Sequence, residues 1–214
     1  MIKDLILQDN TNQRLPCVVL LDGSTSMDGK AIDNLNQGLS ILEQELKADD
    51  VASLRVQLLL LRIGGHSDVE ILTDWTDAID FSAPQVEANG TTPLGKGVNV
   101  ALKELEEQKK KYRQNQITYN RPWLFIITDG APTDMNWEKA AEKAVEAEKK
   151  GKVVVFPIGT EEADFEILNK FSSRGAIMLN NLDFKELFVW LSQSVSAGSQ
   201  TEINSETQLP AISW

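Results

Sequence analysis

Apolar positions recur along this chain with two different periods, and the two periods take turns. Cys17-Val18-Val19-Leu20-Leu21 is a continuous, β-branched apolar run closing on Asp22, the pattern of a strand buried on both faces. A polar loop follows, with Asp28-Gly29 marking the turn out of it. Ile32, Leu35, Leu39, Leu42 and Leu46 then recur at spacings of three and four, which predicts one apolar stripe on a helix. Val56 to Ile63 predicts a second buried strand, ended by Gly64-Gly65. Beyond it Val69, Ile71, Thr73 and Trp75 alternate with mostly polar residues, as on an edge strand with one wet face. So short a connection makes these two strands an antiparallel hairpin.

Residues 76–91 show no clear period and predict an irregular climb along the domain. Leu94, Val98, Ala101, Leu102 and Leu105 form a second helical stripe, running into Glu106-Glu107-Gln108-Lys109-Lys110-Lys111. That charged run reads as a solvated helix end whose lysines complement the helix dipole. Trp123-Leu124-Phe125-Ile126-Ile127 predicts a third buried strand, ending at Thr128-Asp129-Gly130. A helix from about Trp137 to Lys150 is expected to bury Ala140, Ala141, Ala144 and Val145. Gly151 caps it, and Val153 to Ile158 is the fourth buried strand. A short helix near 161–172, a strand near 176–180 and a helix near 184–196 complete the alternation.

This order predicts an α/β fold: a doubly wound, Rossmann-like, mostly parallel six-stranded sheet with one antiparallel edge strand and helices on both faces. Residues 1–13 are a lead-in, 14–196 the domain and 197–214 a polar tail. The tail closes on Leu209-Pro210-Ala211-Ile212-Ser213-Trp214, apolar enough to dock back. Trp214 is either part of that contact or a small docking handle.

The chain has 214 residues, which suits one domain of this kind with an ample core. Charge changes the picture more. Thirty-two acidic against 21 basic residues give −11, which repels nucleic-acid phosphate and anionic membranes, so neither is an expected partner. The lone Cys17 rules out an internal disulfide or a Cys-rich zinc site and reads as a small core hydrophobe. No apolar run approaches the ~20 residues of a spanning helix, and Met1 to Gln8 has no signal-peptide core. The expected compartment is the cytoplasm.

In an open parallel sheet, ligands bind beyond the carboxyl ends of the strands, where strand order reverses. Asp22 ends the first strand there, with Gly23-Ser24-Thr25-Ser26 in the loop above it, and Asp129 ends the third buried strand in a similar place. The hairpin partner runs down and the irregular segment carries the chain back up, so Asn89-Gly90-Thr91-Thr92-Pro93-Leu94 lies at the same edge. Three loops therefore present Asp, Ser, Ser, Thr and Asp together. An all-oxygen set without His, Cys or thioether suits a hard cation, Mg²⁺ or Mn²⁺. Two carboxylates diluted by hydroxyls leave a cation with residual positive charge, able to accept a carboxylate from outside.

The segments Asp22-Gly23-Ser24-Thr25-Ser26, Gly90-Thr91-Thr92-Pro93-Leu94-Gly95 and Thr128-Asp129-Gly130 resemble the metal-ion-dependent adhesion site of von Willebrand factor A domains, over roughly residues 14–196. The resemblance implies metal ligation by Asp22, Ser24, Ser26, Thr92 and Asp129. In it Ser24 and Ser26 bind directly, Asp22 and Asp129 act largely through water, and Thr92 alternates between the two. Thr92 is preferred to Thr91 because it begins the Thr-Pro-Leu-Gly segment where the family's ligand falls. A partner protein's Asp or Glu would complete the octahedron. Arg14-Leu15-Pro16-Cys17 and Thr128-Asp129-Gly130-Ala131-Pro132-Thr133-Asp134 look more specifically like small bacterial cytoplasmic TerY/YegL-type proteins, some encoded with tellurite-resistance and stress operons. Thr25 departs from the commoner glycine at that place and implies a stiffer loop.

Other readings compete. Asp28 and Asp134 each read more simply as turn formers or helix caps. Ser24 lacks the second glycine of a G-x-S-x-G elbow, and His66, the only histidine, falls in a solvated turn, which argues against a hydrolase triad. A Mg²⁺-dependent phosphohydrolase-like enzyme is the stronger catalytic alternative. Against it stand the absence of a Lys-containing Gly-rich loop, of a second carboxylate two residues after Asp22, and of any evident general base. No G-x-G-x-x-G opens the first helix for a dinucleotide. The expectation is a non-enzymatic, divalent-cation-dependent protein interaction module, with a scaffold merely stiffened by metal as a third possibility.

Overall fold

Every residue of Leu15–Asp22 is buried, and the rest of the molecule is arranged around this one strand. The structure, a computed structural model, describes residue 10, residues 12–201 and residues 207–212. Strands β1 (Leu15–Asp22), β2 (Val56–Ile63), β3 (Val69–Asp77), β4 (Trp123–Thr128), β5 (Val154–Thr160) and β6 (Ile177–Leu179) form one sheet in the order β3-β2-β1-β4-β5-β6. All pairings are parallel except β2 with β3, the antiparallel edge hairpin. The helices are α1 (Lys30–Ala48), α2 (Ala52–Arg55), α3 (Leu94–Gln114), α4 (Trp137–Lys149), α5 (Phe165–Leu168) and α6 (Phe184–Gln200).

The period of two along β1 sorts two cores. Leu15, Cys17, Val19 and Leu21 face Leu35, Leu39 and Leu42 of α1 and Phe188 and Leu191 of α6. Val18 and Leu20 face Leu94, Val98 and Ala101 of α3 and Ala140 and Ala144 of α4. Burial pushes the Cys17 thiol well up from its ordinary pKa, so it stays neutral within the core. The helices α1 and α6 touch at Gly38, where a Cβ would stand 2.5 Å from the Phe188 ring. A helical glycine costs about 1 kcal/mol against alanine; here it lets the two helices close on each other.

Two expectations about helix faces are corrected. The charged end of α3 is not simply solvated: Gln108 and Lys109 are buried and Tyr112 is fully so. Gln108 Nε2 donates to Gln57 Oε1 (2.5 Å), and Lys109 Nζ pairs with Glu106 Oε1 (2.5 Å), so these polar groups go inside because partners wait there. On α4, Val145 is only half-buried, whereas Glu148 is buried. The Glu148 carboxylate accepts from Val155 N (2.9 Å), Ser173 N (2.7 Å) and the Ser172 and Ser173 hydroxyls, pinning α4 to the sheet and to the turn before β6.

At the amino ends of the strands a polar cluster is sealed off. Arg14, fully buried, places Nη1 2.9 Å from Asp77 Oδ2 and donates to Leu54 O at 3.0 Å. Asp77 Oδ1 accepts from Gln57 Nε2 (2.8 Å), and Gln57 Oε1 in turn accepts from Tyr112. Helix α6 runs to Gln200, four residues beyond the expected end at 196. Leu209 packs on the core and Trp190 Nε1 donates to Pro210 O (3.0 Å), so this part of the tail docks back. Trp214 lies outside the described residues. Among those residues no helix is long and apolar enough to cross a membrane.

Candidate metal centre

Strand order reverses between β1 and β4: the chain moves outward through β2 and β3 on one side, then through β5 and β6 on the other. At that point two neighbouring parallel strands end together and their loops diverge, leaving a crevice. The register pairs Leu21 with Ile127, so Asp22 and Thr128 stand side by side at the carboxyl edge.

The expected residues meet there. Asp22 is fully buried, with Oδ1 accepting from Ser24 N (2.9 Å) and Oδ2 from the Thr128 hydroxyl. The Ser24 and Ser26 hydroxyls are 2.9 Å apart, and Ser26 Oγ donates to Asp129 Oδ1 at 2.8 Å. Thr92 is buried and Thr91 is exposed. The Thr92 hydroxyl lies 3.7 Å from where a Gly130 side chain would begin, on the Asp129 side of the crevice.

The loops are held to one another rather than merely adjacent. Thr25 N and Thr25 Oγ1 both donate to Gly90 O (3.1 and 3.0 Å), tying the first loop to the second. The threonine that replaces the commoner glycine is thus a clamp. Thr92 N donates to Thr133 Oγ1 (3.1 Å) and Thr133 N to Thr92 O (2.9 Å), tying the second loop to the third. Asp134 accepts from Gly95 N (3.1 Å) and Lys96 N (3.0 Å), capping α3 from a loop 38 residues away. Asp28 is a turn former: its N–H donates to Thr25 O (3.1 Å) and closes the short 3₁₀ turn Thr25–Met27, while Gly29 occupies the start of α1 without a side-chain bond.

Residues that went unnoticed in the sequence also build the site. Thr128 holds the far oxygen of Asp22, and aligning the two strands by their apolar runs would have placed them opposite. Arg62 is a lone charge in a buried strand. Its Nη2 donates to Asn89 Oδ1 (2.8 Å) and Gly23 O (3.3 Å), bracing both loops from below. A Cβ on Gly23 would collide with the Arg62 side chain, so glycine is what allows the clamp.

The electrostatics of the crevice are unbalanced. Desolvation raises the Asp22 pKa above the ordinary carboxylate value, outweighing the bonds from Thr128 and Ser24, and the Asp129 charge adds to the rise. Desolvation likewise raises Asp129, with the Glu162 charge contributing. Among the described residues neither carboxylate is paired with a Lys, Arg or His. Nor do three or more His, Cys, Asp or Glu gather there into a metal cluster. A cation at this place would rely on the hydroxyls of Ser24, Ser26 and Thr92 beside the two carboxylates. That donor set fits a hard divalent ion, because every donor is oxygen and two buried negative charges lack a counter-charge.

The family model for the von Willebrand factor type A domain matches residues 17–191. No curated protein matches the chain. Solved structures with the same fold include the ArnB paralog VWA2 from Sulfolobus acidocaldarius (18% identity, TM-score 0.57), matched over 86% of this chain and 46% of that one. The pilus adhesin SpaC from Lactobacillus rhamnosus GG is 13% identical with a TM-score of 0.71, over 88% of this chain and 31% of the adhesin. The vWF domain of the type V pili tip protein Mfa5 from Porphyromonas gingivalis is 11% identical with a TM-score of 0.63, over 91% and 99%. The chain thus spans less than half of the first two proteins and nearly all of the third domain; at these identities the likeness is one of fold.

Proposed function

The chain belongs to the von Willebrand factor type A domain family, a family of protein-interaction modules, and from that premise we propose that Asp22, Ser24, Ser26, Thr92 and Asp129 hold one Mg²⁺ or Mn²⁺ that binds an Asp or Glu of a partner protein. The observation that carries this reading is the pair of buried, uncompensated carboxylates joined through two serine hydroxyls at the strand-order switch. Such an ion supplies a Lewis-acidic point with residual positive charge. The protein's own part is orientation. Thr128 and Ser24 N fix Asp22, Ser26 fixes Asp129, and Arg62, Thr25 and Thr133 keep the loops in one geometry.

The reading takes the chain as a binding module rather than an enzyme. The Ser24 and Ser26 hydroxyls bond to each other and to the Asp22 and Asp129 carboxylates, an arrangement that suits ligands of one ion, and His66 sits exposed in the β2–β3 turn. A bacterial, cytoplasmic setting in a stress or tellurite-resistance system is the narrower part of the proposal, supported by the Arg14–Cys17 and Thr128–Asp134 segments.

Two measurements test it. Mg²⁺ raises the melting temperature of the wild type but not of a Ser24→Ala/Ser26→Ala variant; an unchanged wild-type melting temperature in Mg²⁺ overturns the metal. Partner capture from native lysate disappears in EDTA and returns with Mg²⁺. Recovery of the same partners in EDTA removes the bridge and leaves a metal-stiffened scaffold.

A further inference from the structure

Beside Ser26 and Asp129 opens a cleft of about 420 Å³, walled by the start of α1, the loop after β5 and the turn at residues 180–182. Its lining includes Asp28, Glu161 and Glu162, all exposed, against a single cation, Lys30. None of these four is in an ion pair among the described residues. Acidic residues alone would be a solvated rim. Thr160, which lines the same cleft at the end of β5, is 2% exposed, and its hydroxyl has no hydrogen-bond partner among the described residues. A buried hydroxyl without a partner is uncommon and costly, and it marks a place where a polar group from outside would be received.

We propose that this cleft takes a cationic side chain, Lys or Arg, from the same partner segment that brings its carboxylate to the metal. The shared segment rests on the metal-bridge reading; the preference of the cleft for a cation rests on Thr160, Glu161 and Glu162. An ammonium or guanidinium supplies donors only, matching a wall of acceptors: three carboxylates and a hydroxyl free to accept. An ion at the centre would engage Asp129 and leave Asp28, Glu161 and Glu162 facing the partner. The wall is also held in place. Asn181 N donates to Glu161 Oε1 (2.9 Å) and Asn34 Nδ2 to Leu182 O (3.2 Å). Recognition would then require a segment carrying both charges, so a purely acidic one would be repelled by the cleft even as its carboxylate reached the metal.

Amide NMR of the full chain separates the two readings, with Nα-acetyl-arginine methylamide, Nα-acetyl-glutamate methylamide and Mg²⁺ each added alone. The arginine amide is expected to shift Thr160, Glu161, Glu162 and Asn181, and the glutamate amide to leave them in place. A Glu161→Gln/Glu162→Gln variant keeps an oxygen for Asn181 N and should bind the arginine amide roughly three- to tenfold more weakly. Equal shifts with both amides, undiminished binding by the variant, or no shift in the cleft overturn the proposal. Shifts in the cleft by Mg²⁺ alone that persist in the Ser24→Ala/Ser26→Ala variant would assign it to a second metal and overturn it too. If instead Mg²⁺ leaves Ser24, Ser26 and Asp129 unmoved while arginine still titrates the cleft, the metal-bridge reading falls and the cation subsite stands. Gly/Ser peptides with one Asp, with and without an Arg, then test the shared segment in Mg²⁺: equal affinities remove it.

Discussion

The two ends of the sheet bury carboxylates in opposite ways. At the amino end Asp77 has a cation of its own, Arg14, at 2.9 Å, and Gln57 and Tyr112 extend the network, while Arg14 Nε and Nη2 are buried without a hydrogen-bond partner among the described residues. At the carboxyl end Asp22 and Asp129 are buried among hydroxyls and amides, with no cation paired to them among the described residues. Taking a charge out of water is costly in both places. One end meets that cost within the chain, and the other leaves it to something outside. The difference separates a structural polar cluster from the proposed binding site more sharply than burial, which the carboxylates at the two ends share.

The comparison breaks most readily at the amino end. Arg14→Met leaves Asp77 buried and unpaired, and urea denaturation should show a loss of about 3–5 kcal/mol. The matching change at the other end, Asp22→Asn, should behave differently. It removes a charge that has no counter-ion and keeps an oxygen for Ser24 N. In EDTA the variant should therefore be at least as stable as the wild type, and a loss as large as that of Arg14→Met would erase the distinction.

Metal supplies the next largest effect. At a free Mg²⁺ concentration a hundredfold above its dissociation constant, the wild type should gain about 2.7 kcal/mol and Asp22→Asn nothing. The pH dependence sharpens the point. The folded pKa values of Asp22 and Asp129 are raised, so the metal-free folded state binds protons more readily than the unfolded chain. Stability in EDTA should thus rise as pH falls through the folded pKa values, levelling at the unfolded carboxylate value. Asp49, whose hydrogen bonds from Ser196, Ala52 and Val51 outweigh desolvation and lower its pKa, works in the other direction. Its contribution is present above the unfolded value and lost as pH falls through the lowered one. The Asp22→Asn variant should keep the second trend and lose most of the first.

Smaller effects come from the supports. Asp134→Ala removes the acceptor for Gly95 N and Lys96 N, and thermal unfolding should register about 0.5–2 kcal/mol. Mg²⁺ affinity should fall with it, because the Thr92 loop enters α3 at that cap. Thr160→Val is the smallest change and, like Asp22→Asn in EDTA, is not expected to destabilise. Deleting an unpartnered buried hydroxyl should gain under about 1 kcal/mol while weakening capture of the arginine amide. A destabilised valine variant would mean that the hydroxyl is satisfied within the fold.

Much of this was legible in the residues. The apolar run ending at Asp22, the hairpin from Val56 to Trp75 and the three loops bearing Asp22, Ser24, Ser26, Thr92 and Asp129 follow from local periods and from connection rules that bring strand ends to one edge. The misreadings share a cause. Glu106 to Lys111 looked like a wet helix end because nothing near it in sequence offers Lys109 or Gln108 a partner; Gln57 lies 51 residues from Gln108. Val145 and Glu148 exchanged roles for the same reason, since the acceptors of Glu148 are needed by Val155, Ser172 and Ser173 across a turn.

By itself the sequence determined the order and type of the elements, and with them the edge where the oxygen ligands gather, because helical and strand periods depend on residues only a few places apart. The tertiary structure alone decided which buried charges are compensated. Arg14 finds Asp77 63 positions away, while Asp22 meets a threonine hydroxyl 106 positions away and, among the described residues, no cation. Charge compensation depends on distance in space, and no local period records it.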